Sequence, residues 1–360
     1  MNHENPNREA EGEKSAEFFL GSVPLIEKEM IDPAMTFELK GERGVIHEKG
    51  DSVFWVTLQG LGGKRVEGKF FVSGEGQEKL LVFEPGMPGD GNKWMESKFV
   101  PELIRQGYSV FCVRHGGTKI NAENSNIFVN CPERIKKEKE DAGALIGKNV
   151  GQTEYTIEDI DDEPRIAVEA LQKQFKQLFL IGHSSGAEGV ALSLPKLPTE
   201  ITDKVRSFVS LAGYIGRYDE NKDFFDKKGI FNSVKMKEYY EYCNNFIAMG
   251  DSGKNVELKK GVLKSIYESP IPENINLISV NSPKDEYVTV ESAQEFRDFT
   301  GRGLGITDET QSEPEFHDLK NLQPKTLLRL LEIYHPKSKH AITVEKENTE
   351  REERGRMIEL

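Results

Sequence analysis

Gly182-His183-Ser184-Ser185-Gly186 sets a serine between glycines two residues away on either side. A nucleophilic hydroxyl needs such a setting. It must project from a tight, strained turn between a strand and a helix, with no side chains where neighbouring backbone comes close. The helix that follows turns its positive N-terminus, and the amide of Ser185, toward an oxyanion forming beside Ser184. The pentapeptide alone is a weak signal, because short glycine–serine patterns recur by chance. Its flanks strengthen it: residues 177–182 (QLFLIG) read as a buried strand and residues 187–194 as the start of a helix. An ordinary glycine turn is the bland alternative.

A serine nucleophile needs a base, and the base needs a group that orients it. In the chain order serine, acid, histidine, the acid follows a later parallel strand. Asp285 lies just after the apolar run 275–280 (INLISV), at the carboxyl end of a strand, where open α/β sheets place their sites. Glu286 is its nearest competitor, and a surface turn or helix cap is the bland reading. Of seven histidines, only His317, His335 and His340 follow this acid. His335 ends the last amphipathic helix, where the helix dipole already accounts for it, and His340 lies in the tail. His317 stands a short loop before that helix and is the better base, with His335 next. A second oxyanion donor belongs in the loop after the first parallel strand. Pro85-Gly86-Met87-Pro88-Gly89 is in that position, and Gly86 permits a bend that aims the Met87 amide inward. A proline-rich turn without catalytic duty is the other reading.

These residues need a sheet to hold them. Residues 52–58 (SVFWVTL) and 69–72 (KFFV) read as an antiparallel entry, with glycines 60, 62 and 63 between them. Residues 79–83 (KLLVF) are continuously apolar, as in a strand buried on both faces. A helix over about 93–106, stopped by Gly107, and a strand over 108–113 complete a βαβ unit, which implies a parallel sheet covered by helices. Further helices fit 157–175 and 324–334, and further strands fit 205–212 and 275–280. The expected organisation is a flexible tail over 1–20, a core over 21–213 and 271–335 with a polar excursion near 118–152, an insertion over 214–270 and a charged tail over 336–360. The insertion is aromatic-rich and too long for a simple crossover, so a helical cap is expected there. The last tail is read as a solvated helix or disorder.

Composition narrows the partners. The 360 residues carry 48 Lys plus Arg against 61 Asp plus Glu, a formal charge of −13. Such a surface repels phosphate backbones and anionic lipid, and the one basic run, near Lys137, is balanced by Glu138, Glu140 and Asp141. Nucleic acid and membrane insertion are therefore not expected. Cys112, Cys131 and Cys243 show no CxxC spacing, so neither a disulfide framework nor a zinc site is implied. Residues 1–20 hold no apolar leader and no later run reaches spanning length, so a cytoplasmic location is the default. No metal or organic cofactor is implied, and oligomeric state is not encoded legibly.

Three segments together resemble the α/β-hydrolase family: 79–117 (KLLVFEPGMPGDGNKWMESKFVPELIRQGYSVFCVRHGG), 178–194 (LFLIGHSSGAEGVALSL), and 278–288 (ISVNSPKDEYV) followed by His317. The resemblance covers roughly residues 50–335. It implies a mostly parallel central sheet with helices on both faces and a helical cap insertion. It also implies hydrolysis of a small-molecule ester, thioester or amide through an acyl-enzyme. By it, Ser184, Asp285 and His317 form the triad, Met87 and Ser185 supply the oxyanion amides, and Gly182, His183 and Gly186 complete the nucleophile turn. Asp285 falls where the family's acid precedes an apolar residue by three, here Val288. Serine at the turn sets aside the family members that use aspartate. Two departures stand out: Pro85 replaces the histidine usual before the loop glycine, and residues 304–316 are more acidic and less apolar than the family's last strand. An aminopeptidase-like member is the enzyme alternative, with Asp219, Glu220, Asp223 and Asp226 as candidates to hold a substrate ammonium. A non-catalytic binding protein on the same fold is the alternative from another class.

Overall fold

The short apolar runs become strands of one sheet in the computed structural model, which describes residues 25–30, 38–39, 42–43, 52–59, 64–73, 78–87, 92–118, 155–213, 215, 233–285, 287–309, 317, 319, 321–333, 339–344 and 357–359. The strands in chain order are β1 (Leu25–Met30), β2 (Glu38–Leu39), β3 (Glu42–Arg43), β4 (Ser52–Gln59), β5 (Arg65–Val72), β6 (Lys79–Glu84), β7 (Tyr108–Arg114), β8 (Gln177–His183), β9 (Val205–Leu211), β10 (Asn276–Asn281), β11 (Gly303–Asp308), β12 (Lys339–Val344) and β13 (Met357–Glu359). The helices are α1 (Asn92–Arg105), α2 (Ile157–Leu171), α3 (Gly186–Ser193), α4 (Thr199–Thr202), α5 (Ser233–Cys243), α6 (Ser252–Glu268), α7 (Val290–Thr300) and α8 (Pro324–Glu332).

Eleven strands form the main sheet in the order β1-β4-β5-β7-β6-β8-β9-β10-β11-β12-β13, while β2 and β3 pair separately. From β7 to β12 every neighbouring pair is parallel. At one side β1, β4, β5 and β7 pair antiparallel, and at the other β13 pairs antiparallel with β12. The chain leaves β6 for β7 on one side and then crosses to β8 on the other. That reversal opens a crevice at the carboxyl ends of β6 and β8, the place where such sheets hold ligands.

Each face of the sheet carries its own apolar layer, as the two-sided burial of β6 and β7 requires. On one face Ile166, Ala167 and Leu171 of α2 and Val190 and Ala191 of α3 pack against Leu80, Val82 and Leu180. On the other, Phe99 and Leu103 of α1 and Leu327 and Leu331 of α8 meet Leu81, Phe83 and Ile181. Helix α2 begins where Thr156 accepts from the Asp159 amide while the Asp159 side chain accepts from the Thr156 amide. Such a reciprocal cap stabilises a helix start by about 1 kcal/mol.

All eight residues of α3 are buried, so Glu188 at its start must be neutralised inside the protein. Lys259 of α6 forms an ion pair with it, both side chains being nearly inaccessible. Burial pulls the Lys259 ammonium down to about 8 and pushes the neighbouring Asp161 carboxyl up to about 6. Replacing Lys259 with methionine keeps the volume and strands both carboxylates. It is expected to destabilise the fold by about 3–5 kcal/mol, read as a lower urea midpoint at constant m-value.

Between β9 and β10, the segment expected as a cap contributes α5 and α6. Their Met236, Tyr240, Val256 and Leu263 form a third apolar cluster with Met87, Tyr155 and Ile157. The aromatics divide: Tyr240 is buried in that cluster, whereas Tyr242 is 53% exposed. Phe224, Phe225, Phe231 and the four acidic residues 219, 220, 223 and 226 lie outside the described residues.

Two expectations are corrected. The charged tail was expected as solvated helix or disorder, yet residues 339–344 and 357–359 extend the sheet as β12 and β13. The β-branched triplet Ile342-Thr343-Val344 suits a strand, and the charges on either side mask it in the sequence. Residues 304–316 looked too acidic for the last strand before His317. The strand β11 occupies only Gly303–Asp308, which is buried at five of its six positions, and the acidic run follows it. The tail 1–20 and, of the excursion near 118–152, residues 119–152 fall outside the described residues. Among the described residues no helix is long and apolar enough to cross a membrane.

Candidate active site

Strand β8 delivers the chain to Ser184 and α3 carries it away. Ser184 takes φ 52°, the left-handed region that costs a residue with a Cβ about 1–2 kcal/mol. The turn closes because its flanks have no side chains. A Cβ on Gly182 would lie 2.5 Å from the Ala187 Cα, and one on Gly186 would meet the Glu84 carbonyl. The same crowding governs the loop after β6, where a Cβ on Gly86 would lie 2.7 Å from the Ser184 Cβ.

Three side chains that the sequence separates widely form one line at this turn. Ser184 Oγ lies 2.8 Å from His317 Nε2, and His317 Nδ1 lies 2.9 Å from Asp285 Oδ2. The other carboxylate oxygen, Asp285 Oδ1, accepts from the amides of Tyr287 at 2.8 Å and Val288 at 3.0 Å. Those bonds lock the carboxylate's rotation, so Oδ2 faces the imidazole. With Nδ1–H donating to the Asp285 carboxylate, Nε2 is left as an acceptor for the serine hydroxyl. The Asp285 side chain is fully inaccessible, while that of His317 keeps 22% exposure. His317 is also held by its backbone: His183 Nε2 lies 3.1 Å from the His317 carbonyl oxygen.

Met87 lies in the loop after β6, beside Gly86, which packs on Ser184. Its N–H donates to Ser185 Oγ at 2.9 Å, and its carbonyl accepts from the Tyr239 hydroxyl at 2.8 Å. Helix α5 therefore grips the loop opposite the nucleophile. Ser185 caps the start of α3, directly after the nucleophile turn. The Tyr287 ring, 48% exposed, stands 5.1 Å from the His317 ring centre and forms an aromatic wall beside it. Glu286 and His335, the runners-up for acid and base, lie outside the described residues.

Sequence reasoning missed the polar groups behind this line. Tyr239 was read only as a cap aromatic, and nothing in its spacing connects it to Met87. Glu84, His115 and Glu163 meet beneath the loop although 31 and 48 residues separate them in sequence. The one sequence signal was position, since Glu84 ends β6 and His115 follows β7 at the carboxyl edge of the sheet.

A mostly parallel sheet covered on both faces, with a serine turn after β8, is the arrangement of the α/β-hydrolase fold. The alpha/beta hydrolase fold family matches residues 79–235. That match and the sheet order give the chain the α/β-hydrolase fold. An esterase (EaEST) from Exiguobacterium antarcticum is similar over 77% of this chain and 99% of its own, at 10% identity and a TM-score of 0.51. Est1E from Butyrivibrio proteoclasticus aligns over 77% of this chain and 98% of its own, at 10% identity and a TM-score of 0.46. An acylaminoacyl peptidase from Pyrococcus horikoshii aligns over 77% of this chain and 39% of its own, at 12% identity and a TM-score of 0.44. At such identities the likeness is one of fold. No curated protein matches the sequence.

Proposed function

We propose that the protein is a serine hydrolase that cleaves a carboxylic ester through an acyl-enzyme. One observation carries this reading: the unbroken hydrogen-bonded line from Ser184 through His317 to Asp285. Ser184 Oγ attacks the carbonyl carbon while His317 Nε2 takes its proton. Asp285 stabilises the imidazolium and keeps it oriented. The tetrahedral oxyanion is met by the amides of Ser185 and Met87. In the free protein the Ser185 hydroxyl holds the Met87 N–H, and the oxyanion takes its place as acceptor. Collapse expels the alcohol, which receives the proton from His317. Water then attacks the acyl group by the same route and frees Ser184.

The residues around the line favour an apolar or aromatic group in the substrate. Tyr287 flanks His317, and Tyr239 and Tyr242 stack with ring centres 6.5 Å apart on the helix that grips Met87. Gly86→Ala tests the loop's role. Its new methyl would press on the Ser184 Cβ, and a displacement of that size is expected to lower kcat by about 10²-fold with KM little changed. The function itself is tested with short-chain p-nitrophenyl esters, comparing acetyl with an aromatic acyl group. Turnover with preference for the aromatic ester is expected. A folded protein that turns over no ester and reacts with no serine-directed reagent would instead be a binding protein on this fold.

A further inference from the structure

Beneath the loop that carries Met87, three side chains from three different elements converge, apart from the catalytic line. Glu84 is the last residue of β6, His115 follows β7, and Glu163 lies midway along α2. All three are buried, Glu84 and Glu163 completely. His115 Nδ1 and one carboxylate oxygen from each glutamate all lie within 4.8 Å of one another. Nδ1 is 2.7 Å from Glu163 Oε2 and 3.5 Å from Glu84 Oε1. The remaining oxygen of Glu163 is already engaged, by the Tyr155 hydroxyl and by the Gly116 amide at 3.1 Å. Glu84 is the contrast. Neither of its oxygens has a hydrogen bond among the described residues, although the side chain is wholly inaccessible.

Two dry carboxylates facing one another cannot both stay ionised unless something positive stands between them, either a proton or a cation. A proton on His115 Nδ1 would serve Glu163 at 2.7 Å but lies 3.5 Å from Glu84, whose oxygens stay without a hydrogen bond among the described residues. A cation between the three groups would use all of them.

We propose that Glu84, His115 and Glu163 bind one divalent transition-metal ion, for which Zn²⁺ is the best match. One imidazole nitrogen with two carboxylates is a zinc-type donor set, whereas an imidazole ligand disfavours Mg²⁺ and Ca²⁺. Two ionised carboxylates and a divalent ion also sum to zero charge, which removes the penalty of leaving Glu84 buried and unpaired. Tetrahedral ligands about 2.0–2.1 Å from zinc stand roughly 3.3 Å apart. The 3.5 Å separation of Nδ1 from Glu84 Oε1 fits that spacing already, and the 2.7 Å separation from Glu163 Oε2 would open slightly. Tyr155 and Gly116 hold Glu163 from behind, as outer partners of metal ligands do. His115 Nε2 has no such partner among the described residues, so the imidazole is the least firmly held ligand. Three protein ligands leave a fourth position to water. Because Glu84 runs directly into Pro85-Gly86-Met87, the ion braces the root of that loop. Its role is structural.

The test measures metal and needs no substrate, so it stands or falls independently of the hydrolase reading. The full chain is unfolded in denaturant with a chelator, refolded with or without Zn²⁺, desalted and analysed by elemental mass spectrometry and thermal unfolding. Wild type is expected to retain about one zinc per chain and to melt about 5 °C higher when refolded with it. Glu84→Gln is nearly isosteric and its amide can donate to Glu163, so it folds. It is expected to retain no zinc and to show no zinc-dependent shift. Wild type that holds no zinc and melts identically either way would overturn the proposal and leave a shared proton in the cluster. Equal zinc content in wild type and Glu84→Gln would overturn it too, by placing the metal elsewhere.

Discussion

Asp285→Asn is expected to lower kcat for ester hydrolysis by about 10⁴-fold while KM and the unfolding midpoint barely move. The reason lies in which atoms the carboxylate touches. Asp285 Oδ1 is fixed by the Tyr287 and Val288 amides, and the asparagine carbonyl can keep both bonds. Its NH₂ must then occupy the place of Oδ2, 2.9 Å from His317 Nδ1. Two donors cannot share that contact, so the imidazole moves its proton to Nε2. The atom that should accept the Ser184 proton then carries one of its own. Geometry survives and the base is lost, which steady-state kinetics beside a denaturation curve will separate. Full activity in Asp285→Asn would move the acid's role to Glu286.

Ser184 gives the other large effect, and it divides activity from stability. Ser184→Ala removes the attacking oxygen and is expected to cost about 10⁴-fold or more in kcat, with only residual catalysis from the oxyanion donors. Alanine keeps the Cβ, so the strain at φ 52° stays and stability should change by less than about 0.5 kcal/mol. Ser184→Gly is equally inactive but releases that strain. It is expected to gain about 1 kcal/mol in the urea unfolding free energy. An inactive variant more stable than wild type is the mark of a backbone strained for function. A glycine variant no more stable than the alanine one would show that the turn is not strained.

The legibility of the fold and the site followed the range of the interactions. Strands β6 to β10 could be read because each is a short apolar run bounded by glycine or polar residues, and burial on both faces leaves no alternation to confuse. Ser184 was readable for a local reason, since the strand, the turn and the helix that aim it are contiguous. Asp285 could be singled out because it follows a recognisable strand, and its binding by the next two amides is local as well. His317 was reached only by eliminating other histidines. It stands beside Ser184 across a separation of 133 residues, which no periodicity announces. Strand β12 was hidden because one short strand among charges looks like a tail until β11 is there to pair with it.

The buried polar groups were the least legible. Glu84, His115, Glu163, Glu188 and Lys259 each belong to residue types that ordinarily face water, so each has a bland reading on its own. Only the fold shows that they meet. Lys259 reaches Glu188 from a helix 71 residues further along the chain, as their numbers give directly. Such pairs follow from topology, and a sequence pattern with a period of two or 3.6 carries no trace of them. The same holds for Tyr239, whose hydroxyl fixes the Met87 carbonyl from the segment between β9 and β10.

The most direct test of the catalytic reading is covalent. The purified protein is treated with a fluorophosphonate reagent, its intact mass is measured, and the modified peptide is mapped. Catalysis by Ser184 requires a single adduct per chain on that serine, with no adduct on Ser184→Ala and much slower labelling of His317→Ala. A folded wild type that stays unmodified, or an adduct on any other residue, would contradict it.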